Sequence, residues 1–256
     1  MRSLAREAAL VGARAIAGAK HPTAGAAKGL PGDWVTDVDL ASERAIGAML
    51  GAGTPDIPVQ GEELSGELAT GLRWVVDPLD GTTNYLHGFP AVGVSVALVG
   101  EEEVLAGAIA APLLGDVWHG AAGRGATWEH DGSSVACRVS DRPPERAVVA
   151  TGFPFRRKER LPRYLETMRA ALEAFEDLRR PGAACLDLAW TACGVFDGFF
   201  ELGLAPWDVA AGALLIQEAG GVVTDWEGGP GFLTGNIMAA PAQVHGPLLA
   251  AASVDG

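Results

Sequence analysis

The sequence predicts an α/β protein in which sheets are layered with helices, and three observations carry that prediction. An Ala-rich amphipathic stretch opens the chain, short apolar segments separated by turn residues fill Val92 to Val139, and helical and extended patterns alternate from Ala147 onward. No self-similarity shows at periods of about 20 to 50 residues, which excludes a solenoid or propeller.

The elements follow in chain order. Residues 2 to 19 read as a helix with Leu4, Ala8, Val11 and Ala15 on one face. His21 to Asp33 holds Pro22, Pro31 and several glycines and reads as a loop. Thr36 or Asp37 caps a second helix reaching about Leu50, with Asp39 on its exposed first turn. Ile57 to Gln60 is a short extended run ending at Gly61-Glu62-Glu63, and Arg73 to Val76 is another that delivers Asp77 at its carboxyl end. Val92 to Val99, Val104 to Ala111 and Asp116 to Gly120, with a hairpin around Asp131-Gly132, make an antiparallel meander. Then come a strand at Ala147 to Ala150, helices near Arg157 to Phe175 and Cys185 to Cys193, a strand at Phe196 to Leu202, a helix at Trp207 to Glu218 and a strand at Val222 to Asp225.

Composition limits the function classes. Apolar residues make up 48% and charged residues 20%, so the whole chain is expected to fold, and no linker divides its 256 residues. A formal charge of -13 disfavours nonspecific contact with nucleic acid or anionic lipid and favours cations as partners. Cys137, Cys185 and Cys193 form no C-x-x-C pair and read as small buried hydrophobes in a reducing compartment. Arg2, Arg6, Glu7 and Arg14 interrupt any signal-peptide core, and no apolar run is long enough to span a bilayer, so a cytoplasmic protein is expected.

The chemistry centres on Asp77-Pro78-Leu79-Asp80-Gly81-Thr82-Thr83-Asn84. Pro78 fixes φ, Gly81 permits a tight backbone, and the following N–H groups can converge on one anion, helped by a helix dipole if a helix starts there. Mg²⁺ takes oxygen ligands from a few carboxylates and substrate phosphate, and this turn offers both halves. D-x-x-D is common in solvated loops, so the turn gains weight from its partners: Glu62 ends the neighbouring strand, and Asp208 opens the helix Trp207-Asp208-Val209-Ala210-Ala211-Gly212. Taken alone, Asp208 is also an ordinary helix N-terminal acid. Glu201 alone reads as a solvated strand-end acid, and Lys28 as surface charge.

Together, Gly61-Glu62-Glu63, Asp77 to Asn84 and Trp207 to Gly212 resemble the inositol monophosphatase family, and the likeness extends to Lys28 through Asp39 and to Glu218-Ala219-Gly220-Gly221, so it covers nearly the whole chain. The resemblance implies a layered αβαβα sandwich of the inositol monophosphatase and fructose bisphosphatase type. It implies one unit over 1–256, with a metal-binding half of about 1–140 and a second half of about 141–256. It implies Mg²⁺, two to three ions per site, a homodimer and sensitivity to Li⁺. Glu62, Asp77 and the Leu79 carbonyl would hold one ion, and Asp77, Asp80 and Asp208 a second. Thr82 with Glu62 would orient water, supported by Asp39. Phosphate would sit on Gly81 and Thr82, and hydroxyls near Asp80, Gly182, Ala184, Glu201 and Asp208. Lys28 would lie in a mobile loop.

Two departures bear on the substrate. Ala183 follows Gly182 where relatives often carry a hydroxyl residue, and Thr151-Gly152-Phe153-Pro154-Phe155 resembles the bacterial version of a pocket loop. The expected substrate is a small phosphorylated polyol, inositol 1-phosphate first, with fructose 1,6-bisphosphate or histidinol phosphate as alternatives. A nucleotide would want an aromatic or basic base-binding patch, and the sequence presents no clear one. Asp37-Val38-Asp39 is a D-x-D like that of aspartate-nucleophile phosphatases, but no apolar strand precedes it and no threonine stands two residues past Asp39. A non-catalytic partner in an RNA-related complex is the alternative of another class.

Overall fold

The computed structural model describes residues 1–19, 25–28, 34–64, 70–101, 103–155 and 157–252. Most of the loop expected at His21 to Asp33 lies outside them. Helices α1 (Arg2–Gly18) and α2 (Asp37–Gly53) flank a small pair of strands, β1 (Ala26–Ala27) and β2 (Trp34–Val35). The buried face of α1 is Ala5, Ala8, Ala9, Gly12, Ala13 and Ile16, rotated from the face expected. Small side chains decide this: a Cβ on Gly12 would stand 2.7 Å from Ile46 Cδ1, so α1 lies close against α2.

The first sheet has seven strands in chain order: β3 (Val59–Gly61), β4 (Arg73–Asp80), β5 (Gly93–Val99), β6 (Val104–Ala111), β7 (Asp116–Ala121), β8 (Ala126–His130) and β9 (Ser133–Ala136). Only the β3–β4 pair is parallel. The β8–β9 hairpin turns at Asp131 and Gly132, both with positive φ (46° and 72°), the backbone of a type I′ turn. Every residue of β5 is buried, because helices cover both faces of the sheet. That double cover explains why the segment reads as a continuous apolar run rather than an alternating one.

The second sheet has the order β11-β10-β12-β14-β13, formed by β10 (Val148–Thr151), β11 (Asp177–Arg179), β12 (Gly198–Glu201), β13 (Val222–Thr224) and β14 (Ile237–Ala240). Strands β11, β10 and β12 run parallel, so Arg179, Thr151 and Glu201 come to one edge. Helices α5 (Ala184–Ala192) and α6 (Pro206–Glu218) lie between the two sheets, while α4 (Leu161–Ala174) and α7 (Ala242–Ala252) cover the outer face of the second. With α1 and α2 outside the first sheet, the layers are αβαβα, as expected. Strands β11 and β14 and helix α7 are additions, and α4 starts at Leu161 because Pro162 suits a first turn.

Candidate active site

Strand β4 carries the centre of the site, and it differs from expectation in one instructive way. The strand does not stop before Asp77 but continues through Pro78 to Asp80, with Asp77 opposite Ser95 and Asp80 opposite Gly93. Three steps on one strand against two on its partner make a β-bulge, and Pro78, which has no N–H to give a ladder, sits inside it. Asp77 is consequently 1% exposed rather than at a strand end. Its Oδ1 accepts the Leu79 N–H at 3.0 Å. Gly81 follows at φ 86°, and a Cβ there would meet the Ala91 carbonyl at 2.8 Å, so glycine is required before the short helix α3 (Thr82–His87) can start.

The acids gather in low-dielectric surroundings. Burial raises the Asp77 carboxyl well above its ordinary value, and the charges of Glu62, Asp80 and Asp208 raise it further. Asp208, on the first turn of α6, is pushed up to about 7 by burial and then by Asp80 and Glu62. Each acid is turned onto a donor of the chain. Asp80 Oδ2 accepts the Cys185 N–H at 2.7 Å, Asp208 Oδ2 accepts the Ala205 N–H at 2.6 Å, and Glu62 pairs with the Lys28 ammonium at 2.7 Å. Accordingly, no three His, Cys, Asp or Glu side chains among the described residues already stand around one cation position. Buried like charges repel in the absence of a counter-ion, and a donor set of carboxylates plus the Leu79 carbonyl suits a hard divalent cation such as Mg²⁺.

Asp39 is 1% exposed, not on an exposed turn. It closes a capping box, accepting the Thr36 N–H at 2.9 Å, while its other oxygen lies 3.2 Å from the Thr82 hydroxyl. The Thr82 hydroxyl is also 3.1 Å from the Leu79 carbonyl. Burial raises Asp39 against the pull of these hydrogen bonds. Lys28 is likewise no free surface charge: its ammonium bridges Glu62 and Glu63, and burial pushes Glu63 up to about 7.

The second sheet supplies the opposite wall. The Asn84 amide donates to the Ala91 carbonyl at 2.8 Å and to the Pro181 carbonyl at 2.9 Å, tying the turn after Gly81 to the Arg180-Pro181-Gly182 loop. Ala184 opens α5 and Glu201 ends β12, so the loop and the acid stand at the same carboxyl edge. Arg180 lies over both Phe153 (5.3 Å) and Phe155 (5.6 Å), and Phe155 is 60% exposed. This is an aromatic and basic patch that the sequence did not display, assembled from segments 25 residues or more apart.

The inositol monophosphatase family model matches residues 1–255. The chain belongs to the inositol monophosphatase family. Among solved structures, the extragenic suppressor protein suhB of Bartonella henselae aligns with a TM-score of 0.91 at 35% identity, covering 99% of this chain and 98% of that one. The inositol monophosphatase of Anabaena sp. PCC 7120 aligns with a TM-score of 0.85 at 34% identity, covering 98% and 94%. The Nus factor SuhB of Escherichia coli K12 is 40% identical over 224 residues, 85% of this chain and 82% of that protein. The Nus factor SuhB of Pseudomonas aeruginosa is 42% identical over 226 residues, again 85% and 82%. Membership in the family supports phosphatase chemistry and the use of Mg²⁺.

Several residues of this family member's site escaped sequence reasoning. Cys185, expected as an inert hydrophobe, gives Asp80 its N–H, and its buried thiol is raised well above the ordinary value by burial, then by Asp80 and Asp77. Asp187 is buried behind the same wall, and its carboxyl is raised by burial and then by Glu201 and Asp80. Ser42 and Glu43 project from α2 beneath the Pro78 bulge and the Gly61–Leu64 turn. Their spacing from Asp39, three and four residues, was the available signal, since it sets three polar groups on one helical face.

Proposed function

We propose that this family member is a Mg²⁺-dependent phosphomonoesterase acting on a small phosphorylated polyol, with inositol 1-phosphate as the leading substrate and fructose 1,6-bisphosphate or histidinol phosphate as alternatives. The observation that supports it most is the buried Asp77 carboxyl within electrostatic reach of Glu62, Asp80 and Asp208, beside a glycine turn. Glu62, Asp77 and the Leu79 carbonyl would hold one ion, and Asp77, Asp80 and Asp208 a second, with Glu62 also near the place of a third, weaker one. Bound there, Mg²⁺ supplies Lewis-acid activation of water and charge neutralisation at the leaving oxygen.

The chain's own groups do the rest. The N–H groups of Gly81 and Thr82 receive the phosphate, helped by the dipole of the turn. Thr82 gives its proton to Asp39 in a hydrogen bond and leaves a lone pair to accept from the attacking water, which Glu62 also orients. Gly182, Ala184, Glu201, Asp80 and Asp208 face the polyol hydroxyls. The patch of Phe153, Phe155 and Arg180 lies at the outer rim of that wall, where a ring or a second anion would rest. The same reading carries a cytoplasmic homodimer inhibited by Li⁺.

A second reading comes from the Nus factor names of the relatives. On it, the chain joins a transcription complex through protein contacts, since its charge of -13 opposes direct binding to RNA. The two readings are separated by assaying phosphorylated polyols, sugars and histidinol phosphate with Mg²⁺, with and without Li⁺, using the wild type and Asp80→Asn. Loss of hydrolysis in the variant is expected. An unchanged rate in D80N, or a wild type inert on every substrate, would overturn the hydrolase and leave the partner role.

A further inference from the structure

Helix α2 presents three polar side chains to the interior, and each bonds a different part of the metal turns. Asp39 meets Thr82, Ser42 donates its hydroxyl proton to the Pro78 carbonyl at 2.8 Å, and Glu43 accepts two consecutive N–H groups, those of Glu63 (2.8 Å, to Oε2) and Leu64 (2.9 Å, to Oε1). Ser42 and Glu43 are 0% and 5% exposed. The Glu43 carboxyl lies directly on Gly61, where an added Cβ would stand 2.0 Å from Oε1. Gly61 is therefore bare so that this carboxylate can reach the turn.

The turn it reaches is the one that bears Glu62. Strand β3 ends at Gly61 at the edge of its sheet, and beyond it the Glu62 N–H is held by the Val76 carbonyl at 3.1 Å. Glu43 supplies the next two bonds, both to an ionisable acceptor and hence stronger than neutral ones. A buried carboxyl is a costly way to hold a loop, because its desolvation offsets much of what the bonds contribute. An apolar contact would serve stability better.

We propose that Glu43 is a positioning residue for the Mg²⁺ site: it bolts the Gly61–Leu64 turn to α2 and so fixes where Glu62 stands relative to Asp77. Ser42 does the same from below for the bulge at Pro78. The inference rests on the assignment of Glu62 as a metal ligand. Ligand-orienting partners of this kind change metal affinity by about 10-fold to 100-fold when removed.

The test measures divalent-cation binding directly, by Mg²⁺ calorimetry and Mn²⁺ electron paramagnetic resonance, beside the metal-free melting temperature. Glu43→Gln has the same size but turns an amide donor against one of the two N–H groups. Its dissociation constant should rise about tenfold, and its KM for Mg²⁺ should rise more than its KM for substrate. Glu43→Asp, which keeps both acceptor oxygens, should recover part of the loss. Gly61→Ala attacks the same contact from the other side and should match E43Q, with the double variant less than additive. A folded E43Q that binds Mg²⁺ as the wild type does would overturn the role of Glu43. So would failure of all three single variants to fold, because the residue would then be holding the fold rather than the site. A wild type that takes up no divalent cation would overturn the metal reading as well.

Discussion

The acidic corner around Asp77 and the wall around Arg180 and Gly182 adjoin, tied by Asn84 to Pro181 and by Asp80 to Cys185, yet they are built by opposite means. In the corner, Asp77 is buried, Glu62, Asp80 and Asp208 are half-buried, and each accepts a donor of the chain: Asp77 from Leu79, Asp80 from Cys185, Asp208 from Ala205 and Glu62 from Lys28. In the wall, Arg180, Phe153, Phe155 and Gly182 stand on loops after parallel strands, joined by ring contacts and one amide tether from Asn84. The corner stores repulsion among like charges; in the wall the exposed rim pairs Arg180 with a ring of Phe155, and Asp187 behind it carries the buried repulsion. On the proposed reading, the cation would sit among the more enclosed acids, and selectivity on exposed loops where substitution is tolerated.

Removing one charge from the corner tests this most severely. Asp77→Asn should lower phosphatase turnover by about a thousandfold or more and abolish tight Mg²⁺ binding, because on the proposed reading Asp77 would serve both ions. It should also raise the melting temperature in EDTA, since burial and three neighbouring carboxylates oppose the native charge. A variant less stable than the wild type without metal would break the contrast between the two regions.

A smaller effect comes from pH. Asp208 has an ordinary carboxyl value of 3.8 and is pushed up to about 7 in the folded chain, so between those limits the folded state holds more protons than the unfolded one. The stability contributed by that proton is present below about 4 and is lost as pH rises through about 7. In EDTA, the melting temperature should fall across this interval, and saturating Mg²⁺ should flatten the dependence. Calorimetric melts at pH 5, 6, 7 and 8 with and without metal read it out; a flat metal-free profile would contradict a corner under charge strain.

The wall should respond least. Phe155→Ala removes one ring from Arg180, a contact worth about 0.5 to 1 kcal/mol at an exposed position. KM should shift by a few-fold and differently for inositol, sugar and histidinol phosphates, while Mg²⁺ affinity stays unchanged. A loss of metal affinity in F155A would show that the two regions are one unit.

Much of the corner was legible because its residue types are constrained by chemistry. Carboxylates at Glu62, Asp77, Asp80 and Asp208, a proline at a bulge and a glycine at φ 86° leave few substitutes, so they stand out in one dimension. The burial of Asp39 and the reach of Lys28 did not show, because a capping acid and a solvated one look alike until the elements around them are packed. The aromatic patch was hidden for a different reason: rings spaced along a loop acquire a cationic partner only when β10 and β11 pair in parallel.

By itself, the sequence determined most of the longer helices and strands, the layered class of fold and the acids that could hold a cation, since these depend on local periodicity and on side-chain chemistry; the short strands β11 and β14 and the last helix did not show. Only the tertiary structure decided that Asp77 lies inside a bulged strand, that Glu43 reaches over a bare Gly61 to hold the turn of Glu62, and that Arg180 stands against an edge-to-face pair of rings. Those facts depend on contacts between residues far apart in the chain, whose distances are set by sheet register and helix packing rather than by spacing along the backbone.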